Sequence, residues 1–500
     1  MIQLTRLKSK LAEICDLKGA ASVLGWDQQT YMPPGGANAR AEQLATLEKL
    51  SHEMFVSAEM GELLEGAAAE VSALAYDSDE ASLVRVTRRD YDKARKIPPA
   101  LVAEIARTTS LGMEVWVKAK AESNFAVFQP ILQKIYQLHQ ALANCLGFEE
   151  RMYDALLDQY EPDMKTSALE EIFANLKAEL VPMVHALSDK LNSVDGSVLH
   201  RHYDGQKQWD FGTEVLKRFG YDFEKGRQDK SVHPFTTSFS INDVRITTHV
   251  DENFLSSALF GTLHEGGHAL YDQGISPSLE RSPLSAGASL GIHESQSRLW
   301  ENPVGRSLGF WKFFYPRLQS IFPDSLAPVS LEAFYQAINR VQPSLIRVEA
   351  DEITYNLHIM IRFELEVDLL EERLKVADLP AAWNARMKDY LGIVPSKDAE
   401  GVLQDVHWSH GLIGYFPTYS LGNLISVQLF EQAKAENRDI PSQIERGHFS
   451  GLLEWLRTHV HRHGRKFLPL ELVERATGSH FRAEPYIDYL KNKYSEIYLT

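Results

Sequence analysis

Residues 251–274, with the sequence DENFLSSALFGTLHEGGHALYDQG, constrain the fold of this 500-residue chain more than any other stretch. Apolar residues recur there at spacings of three and four, which predicts an amphipathic helix. Asp251 and Asn253 offer oxygens that can cap the beginning of this helix, and Gly274 stands where a glycine commonly ends one. The sequence therefore predicts a single helix over this stretch.

Two histidines on the predicted helix are candidate metal ligands. His264 and His268 are four residues apart, so both stand on one face and can close on a single metal ion. Glu265, about 100° round the helix, can reach a water molecule bound to that ion. This is the H-E-x-x-H pattern of zinc hydrolases. Gly266 and Gly267 each destabilise a helix by about 1 kcal/mol relative to alanine, which indicates either a close approach by substrate or tight helix packing.

A catalytic zinc ion takes three protein ligands and keeps its fourth position open for water. Glu294, in the segment GIHESQSRLWEN, follows His268 at a distance that allows a turn, a loop and a second helix returning past the first. We therefore predict that His264, His268 and Glu294 bind the metal. Glu265 would take a proton from the bound water and deliver it to the leaving amine of a cleaved peptide.

A histidine that binds a metal normally donates its second N–H to a carboxylate or a carbonyl. Thermolysin-like enzymes often supply an aspartate one helical turn after the ligand glutamate, but this chain has Arg298 at that position. Glu301, Asp351 and a backbone carbonyl therefore all remain open as partners.

Composition and charge exclude several classes of protein. The net charge of −16 argues against a nucleic-acid-binding surface. Only Cys15 and Cys145 are present, so no disulfide framework is expected and a reducing, cytoplasmic setting fits. Charges interrupt the N-terminal segment before any signal-peptide core develops. No uncharged apolar run approaches the roughly 20 residues that span a bilayer, so we expect no membrane partner.

The remaining pattern predicts a mainly helical chain with one small sheet. A helix begins near residue 4 and ends in the turn-rich segment GWDQQTYMPPGGANAR, and helical periodicity continues to about residue 220. Residues 232–250, rich in Thr, Val, Phe and Ile, predict a hairpin that turns at residues 241–243. Further helices are predicted at 292–299, 331–341, 351–375, 379–390, 421–436 and 442–459.

We predict one catalytic unit over residues 1–500, because the candidate motifs lie between residues 233 and 419 and serve one site. Its parts would be a mainly helical segment at 1–230, the sheet and metal site at 231–420, and C-terminal helices at 421–500. His410 and the histidine-rich residues 459–463 are interpreted as solvated helix ends rather than a second metal site.

Six short strings occur in the order of a known family. They are HPF at 233–235, DVRIT at 243–247, HEGGH at 264–268, HESQ at 293–296, IRVEAD at 346–351 and GVLQDVHW at 401–408. Together they resemble the motif set of the carboxypeptidase Taq family, metal-dependent carboxypeptidases of the thermostable carboxypeptidase 1 type. The resemblance runs the full length and includes WDQQTYMPPGG near the N-terminus.

The resemblance implies a fold and an activity. The fold would be mainly α, similar to angiotensin-converting enzyme and neurolysin, with two helical lobes around a deep central groove, the metal at its floor and one small β-sheet. Residues 1–230 would help to form the groove. The activity would be release of single C-terminal residues from peptides, with broad specificity and poor tolerance of proline. One divalent metal ion per chain is implied, zinc or alternatively cobalt or manganese, as is a cytoplasmic homodimer.

The same resemblance implies roles for residues outside the metal helix. Arg347 would bind the terminal carboxylate of the substrate, and His233 and Arg245 would line the groove. By residue type alone, Arg245, Arg298 and Arg347 all qualify as two-pronged donors to a carboxylate.

The oxyanion formed during hydrolysis also needs hydrogen-bond donors, which histidine or tyrosine can supply. The resemblance assigns this role to His407 with Tyr415 or Tyr419. Judged by sequence alone, His407 could equally be a core histidine and the tyrosines ordinary loop aromatics.

Three rival functions remain open at this stage. An endo-oligopeptidase or a dipeptidase can be built on the same zinc helix, but only a carboxypeptidase requires a free C-terminal carboxylate. An aminopeptidase would carry G-x-M-E-N before the zinc helix, and the nearest string here, at residues 112–116, lacks the Asn. A non-enzymatic helical scaffold would bind no metal.

Overall fold

Helices make up most of the chain, as the sequence predicts. The computed structural model describes residues 1–188, 190 and 193–498. Within these residues, helices α1 to α21 span, in chain order, Ile2–Thr30, Ala37–Phe55, Ala58–Val71, Asp79–Lys96, Pro99–Glu122, Phe125–Leu146, Met152–Leu157, Thr166–Ser188, Gly205–Phe219, Leu255–Gly274, Leu290–Leu299, Leu308–Ile321, Pro323–Leu326, Leu331–Ile338, Thr354–Leu370, Leu379–Leu391, Pro417–Glu436, Ile440–Glu445, Ser450–His459, Pro469–Thr477 and Glu484–Tyr498. No helix among them is both long and apolar enough to cross a membrane.

The small sheet has three strands, β1 (Gln228–Lys230), β2 (Thr236–Ser240) and β3 (Asp243–Thr248). The central strand β3 pairs parallel to β1 and antiparallel to β2. The β2–β3 hairpin turns at Ile241–Asn242 and confirms the predicted hairpin. Strand β1 was not predicted, because three residues are too few for a pattern of alternation.

The chain divides into two compact units. The first contains Met1–Ala94, Asp195–Ile338 and Ile425–Phe481, and the second contains Arg95–Val194, Asn339–Leu424 and Arg482–Thr500. The sheet, α10 and α11 belong to the first unit, where α10 packs against β2, β3, α9 and α11. In the second unit α15 packs against α16 and α8. The single catalytic unit over residues 1–500 stays a prediction.

Several helix boundaries differ from those predicted. Helix α10 begins at Leu255 and not at Asp251, because residues 251–253 form a turn in which the Asp251 carboxylate accepts a hydrogen bond from the Asn253 N–H. Its last residue, Gly274, is not left-handed; a Cβ there would lie 2.5 Å from the ring of His461, so packing requires the glycine.

Two further differences have backbone causes. Helix α1 continues through WDQQT to Thr30, and only residues 31–36, which contain the two prolines, interrupt the helical course before α2. The predicted helix at 442–459 is two helices, α18 and α19. Gly447 lies between them with a φ of +71°, a left-handed conformation that ends a helix.

Candidate active site

Helix α10 presents the two histidines and the glutamate of the H-E-x-x-H pattern. His264 and His268 are partly exposed, whereas Glu265 is buried. The two glycines of the pattern are explained by helix packing. A Cβ on Gly266 would lie 2.3 Å from Leu216 of α9, and one on Gly267 would lie 2.6 Å from the backbone of α11. Helix α11 can therefore lie directly against α10.

That close packing brings Glu294 of α11 to the two imidazoles. Its Oε2 lies 3.6 Å from Nε2 of His264 and 3.5 Å from Nε2 of His268. One ligand atom from each of the three residues lies within 4.8 Å of the others. Donors arranged tetrahedrally about an ion at 2.0–2.2 Å are about 3.4 Å apart. Two imidazole nitrogens and one carboxylate oxygen with this spacing fit a divalent metal ion.

Glu301 is the carboxylate partner of His264, which answers the question that the sequence left open. Its Oε2 lies 2.9 Å from Nδ1 of His264. Glu301 stands in a π-helical segment, Trp300–Val304, that extends α11. The wider turn of a π-helix changes the direction of the side chains that follow it. Asp351 lies instead in the second unit, where it accepts backbone N–H groups at the start of α15.

Arg298 stabilises both glutamates of this cluster. Its Nε donates to Oε1 of Glu294 at 2.7 Å, and its Nη1 donates to Oε2 of Glu301 at 3.2 Å. Because Oε1 of Glu294 is taken, Oε2 is the oxygen that faces the imidazoles. Arg298 is thus engaged with the candidate ligands.

The same contacts keep both carboxyl groups ionised. Burial alone would raise the pKa of Glu294, but Arg298 and His264 outweigh it and hold that pKa well below its usual range. Burial likewise opposes ionisation of Glu301, yet Arg298 and His264 lower its pKa to about 2. A carboxylate that is ionised at neutral pH is the form that binds a metal.

His268 is supported differently from His264. Its Nδ1 lies 2.6 Å from Nδ1 of His293, and Nε2 of His293 lies 3.0 Å from Oδ1 of Asp272. Asp272 is one helical turn beyond His268 on α10. A second imidazole therefore stands between this candidate ligand and its carboxylate.

Glu265 receives a hydrogen bond that sequence reasoning did not anticipate. The hydroxyl of Thr236, the first residue of β2, lies 2.7 Å from Oε2 of Glu265 and 3.0 Å from its backbone oxygen. Strand β2 packs against α10, which explains the contact. The only signal in the sequence was the position of Thr236 directly after HPF.

Arg347 lies in the second unit and is buried. Its Nε donates to Oδ1 of Asp405 at 2.9 Å, and its Nη1 donates to the hydroxyl of Tyr355 at 3.0 Å. The other oxygen of Asp405 accepts from Nε of Arg362 at 2.8 Å. Burial would raise the pKa of Asp405, but the two arginines hold it well below its usual range. Two guanidinium groups thus share one carboxylate.

His407 lies in the same unit beside the two candidate tyrosines. Its Nε2 lies 3.1 Å from the hydroxyl of Tyr419, and its ring centroid is 5.5 Å from that of Tyr415. Burial, assisted by nearby arginines, lowers the pKa of His407 to about 4. The ring is therefore neutral at neutral pH and can act as a hydrogen-bond donor rather than as a cation.

Arg245 and His233 occupy different surroundings in the first unit. Arg245, on β3, donates from Nε and Nη2 to Asp243 at 2.8 Å. Its guanidinium carbon lies over the rings of Trp26 and Phe239, 4.4 and 4.8 Å from their centroids. The edge of the Arg245 guanidinium that could bind a carboxylate is thus already engaged with Asp243. The side chain of His233, which precedes β2 in the chain, is exposed.

Comparison with known proteins identifies the family. The chain matches the model for the carboxypeptidase Taq (M32) metallopeptidases over residues 6–494. The chain belongs to this family. It is 44% identical to thermostable carboxypeptidase 1 of Thermus thermophilus, covering 97% of both chains. It is 39% identical to carboxypeptidase 1 of Bacillus subtilis, covering 98% of this chain and 97% of that one.

Solved structures of M32 carboxypeptidases have the same fold. The M32 carboxypeptidase from Deinococcus radiodurans superposes with a TM-score of 0.97 at 40% identity, with both chains covered completely. Pyrococcus furiosus carboxypeptidase superposes with a TM-score of 0.95 at 38% identity, covering 98% of this chain and 99% of that one. The predicted mainly α peptidase fold with one small sheet is confirmed.

Membership of the M32 family makes the chain a metallocarboxypeptidase, as the motif set predicted. It excludes the non-enzymatic scaffold and favours carboxypeptidase activity over the aminopeptidase and endopeptidase alternatives. Within the described residues, His264, His268 and Glu294 form the one group with metal-ligand spacing. The histidine-rich residues 459–463 do not form a second one. One of them, His461, was expected in solvent but is buried, with Nε2 2.9 Å from Oε1 of Gln296.

Proposed function

We propose that the enzyme removes the C-terminal residue of peptides at one zinc ion held by His264, His268 and Glu294, with cobalt and manganese as alternative ions. The observation that supports this most directly is the spacing of the three ligand atoms, in a chain of a metallocarboxypeptidase family. A divalent ion bound there supplies a Lewis acid and lowers the pKa of bound water.

Glu265 moves the protons in this proposal. It takes one proton from the attacking water and gives it to the leaving amine, as a general base and then a general acid. Because the Thr236 hydroxyl occupies Oε2, we assign the proton transfer to Oε1. The hydrogen bond from Thr236 limits rotation of the carboxylate and holds Oε1 in one direction.

Arg347 is proposed to bind the terminal carboxylate of the substrate. Three of its contacts go to Asp405 and Tyr355, and a guanidinium has five N–H groups. The pairing of two arginines with one aspartate leaves one positive charge in excess, which favours an anion. Arg245 and Arg298 are less suited, because Asp243 and the glutamates of the metal group occupy their donors.

His407, with Tyr415 or Tyr419, is proposed to donate hydrogen bonds to the oxyanion. The neutral state of His407 supports this role, because a neutral imidazole carries one N–H without adding a buried charge. The remaining assignments rest on the family resemblance: His233 and Arg245 beside the substrate, broad specificity with poor cleavage at proline, a homodimer and a cytoplasmic location.

The test is a digest of one peptide in two forms, with a free and an amidated C-terminus, followed by mass spectrometry. We expect stepwise shortening of the free peptide from its C-terminus and almost no cleavage of the amidated form. Elemental analysis should find one zinc, cobalt or manganese ion per chain. Equal cleavage of the two forms, or internal cleavage of either, would contradict the proposal.

A further inference from the structure

The two candidate histidine ligands have unlike supports. Nδ1 of His264 meets a carboxylate directly, at 2.9 Å from Glu301. Nδ1 of His268 meets another imidazole, that of His293, at 2.6 Å. Only beyond that second ring does a carboxylate follow, with Asp272 3.0 Å from Nε2 of His293. The sequence predicted a direct carboxylate or carbonyl partner and no intervening ring.

The protons of these three residues are fixed by their chemistry. If Nε2 of His268 binds a metal, it carries no proton, so the ring proton of the neutral imidazole is on Nδ1. That N–H donates to His293, whose Nδ1 must then be unprotonated. The proton of His293 is consequently on Nε2, from which it donates to Asp272. Each tautomer determines the next.

The surroundings hold the intermediate ring in place. His268 and Asp272 lie one turn apart on α10, and His293 of α11 contacts both. A Cβ on Gly287 would lie 2.8 Å from Cδ2 of His293, so no larger residue fits beside the ring. The ring centroid of Tyr271 lies 5.1 Å from that of His293. The arrangement is therefore packed and not merely a contact between flexible side chains.

We propose that His293 is a positioning residue that links the ligand His268 to the Asp272 carboxylate. This inference rests on the proposed function, because it requires His268 to bind the metal. Partners of this kind fix the orientation of a ligating ring and raise its basicity, and their loss typically weakens metal affinity or activity 10- to 100-fold. One ligand histidine would thus be supported by a carboxylate and the other by a histidine–carboxylate pair.

The test measures zinc affinity by competition with a chelator, together with the visible absorption spectrum of the cobalt-substituted enzyme. His293→Phe keeps a ring but removes both nitrogens, and we expect its zinc affinity to fall 10- to 100-fold and its cobalt spectrum to change. His293→Asn keeps an acceptor near Nδ1 of His268 but does not reach Asp272. Its zinc affinity should therefore lie between that of the parent and that of His293→Phe. Asp272→Asn keeps the acceptor and removes the charge, and should give a smaller loss without disturbing the fold.

His461→Phe is the matched control. His461 is a buried histidine whose ring centroid lies 5.2 Å from that of Tyr271, and its Nε2 donates to Oε1 of Gln296. Its replacement should change thermal stability but leave zinc affinity within about twofold of the parent. An equal loss of affinity in His461→Phe and His293→Phe would mean general packing damage and would overturn the proposal.

Two results separate this inference from the proposed function. If His268→Ala and Glu294→Ala lose zinc while His293→Phe and Asp272→Asn bind it as the parent does, the ligand set stands and the role of His293 is wrong. If His268→Ala binds zinc as tightly as the parent, the ligand set itself is wrong. A graded loss in the order His268→Ala, His293→Phe, His293→Asn supports both.

Discussion

Two groups of buried and partly buried charged residues, one in each compact unit, have opposite excess charge. The group around His264 and His268 contains four carboxylates and two guanidinium groups, contributed by Glu265, Asp272, Glu294, Glu301, Arg298 and Arg306. The group in the second unit contains two guanidinium groups and one carboxylate, from Arg347, Arg362 and Asp405. The first group favours a cation and the second an anion.

The two groups are also held in different ways. In the first, two helices that follow each other in the chain supply nearly every member, and an i,i+4 pair sets the central spacing. In the second, Arg347, Arg362 and Asp405 come from three separate segments, and Asp405 is what joins them. The comparison teaches that a cation site can be built from local helix geometry, whereas this anion-favouring group depends on long-range contacts.

The largest effect should come from a change at Glu265, the proposed proton carrier in the group around His264 and His268, which is the cation-favouring group. Glu265→Gln removes the proton carrier and no ligand, so we expect kcat to fall about 10²- to 10⁴-fold while the bound metal stays at the parent level. Steady-state kinetics and elemental analysis on the same sample check both halves. Retention of more than about a tenth of the activity would remove Glu265 from the role of general base.

The anion-favouring group should distinguish charged from neutral C-termini. Loss of the Arg347 contact should cost about 2–5 kcal/mol, roughly 30- to several-thousand-fold in kcat/KM for the free peptide, with little change for the amide. Arg347→Ala should therefore lose most of the preference that the parent shows.

Arg347→Lys keeps the charge without the planar fork and should fall between the parent and Arg347→Ala. Structural damage is a separate possibility, because the change also removes a partner of Asp405. Thermal melting of both variants controls for this. Full discrimination by a well-folded Arg347→Ala would transfer the carboxylate contact to another arginine.

A smaller effect is expected from Thr236, which contacts the cation-favouring group from β2. A hydrogen bond to a charged group contributes about 1.5–3 kcal/mol, so Thr236→Val should lower kcat by about tenfold or more with KM nearly unchanged. Thr236→Ser keeps the hydroxyl and should retain most of the activity. Thr237→Val, whose side chain points to the opposite face of the strand, is the control. Equal activity of Thr236→Val and Thr237→Val would show that the contact has no part in catalysis.

The last prediction concerns stability, where one buried group in each unit should make the free energy of unfolding depend on pH, with opposite signs. Burial raises the pKa of Glu366, in the second unit, to about 7. Between pH 4.5 and 7 the folded carboxyl keeps a proton that the unfolded chain releases, so stability falls as pH rises, by about 3 kcal/mol in total.

Burial lowers the pKa of His461, in the first unit, to about 3. The unfolded chain gains a proton as pH falls below 6.5, so stability falls, by about 2 kcal/mol at pH 5.

Calorimetry of the parent, Glu366→Gln and His461→Phe across pH 4.5–8 checks these signs. The melting temperature of Glu366→Gln relative to the parent should rise by a few degrees from pH 5 to pH 7. That of His461→Phe should rise by a few degrees from pH 6.5 to pH 5. A difference in melting temperature between variant and parent that stays constant from pH 4.5 to pH 8 would contradict these pKa assignments.

The sequence alone predicted a large part of the candidate metal group, because that part is local. The spacing of His264 and His268 fixes their common face in any helix, and Glu294 follows within reach of one turn and a second helix. It also predicted the mainly helical class, the β2–β3 hairpin and, through the order of its motifs, the M32 family.

The sequence alone does not determine whether Gly266 and Gly267 allow a close approach by substrate or tight packing of helices. That choice depends on α9 and α11, which contact these glycines from other parts of the chain. The same limit applies to the histidine-rich residues 459–463, for which the sequence predicts solvated helix ends. Nothing in a short pattern shows that Gly274, far earlier in the chain, leaves room for the ring of His461.

Only the tertiary structure decided which residues support the candidate ligands. Glu301 reaches His264 because a π-helical turn extends α11, and His293 meets His268 because Gly267 lets α11 lie against α10. Asp405 joins two arginines that are distant from it in the chain. Helical spacing follows from backbone geometry over four residues and is therefore encoded locally, whereas each of these contacts depends on how separate segments pack.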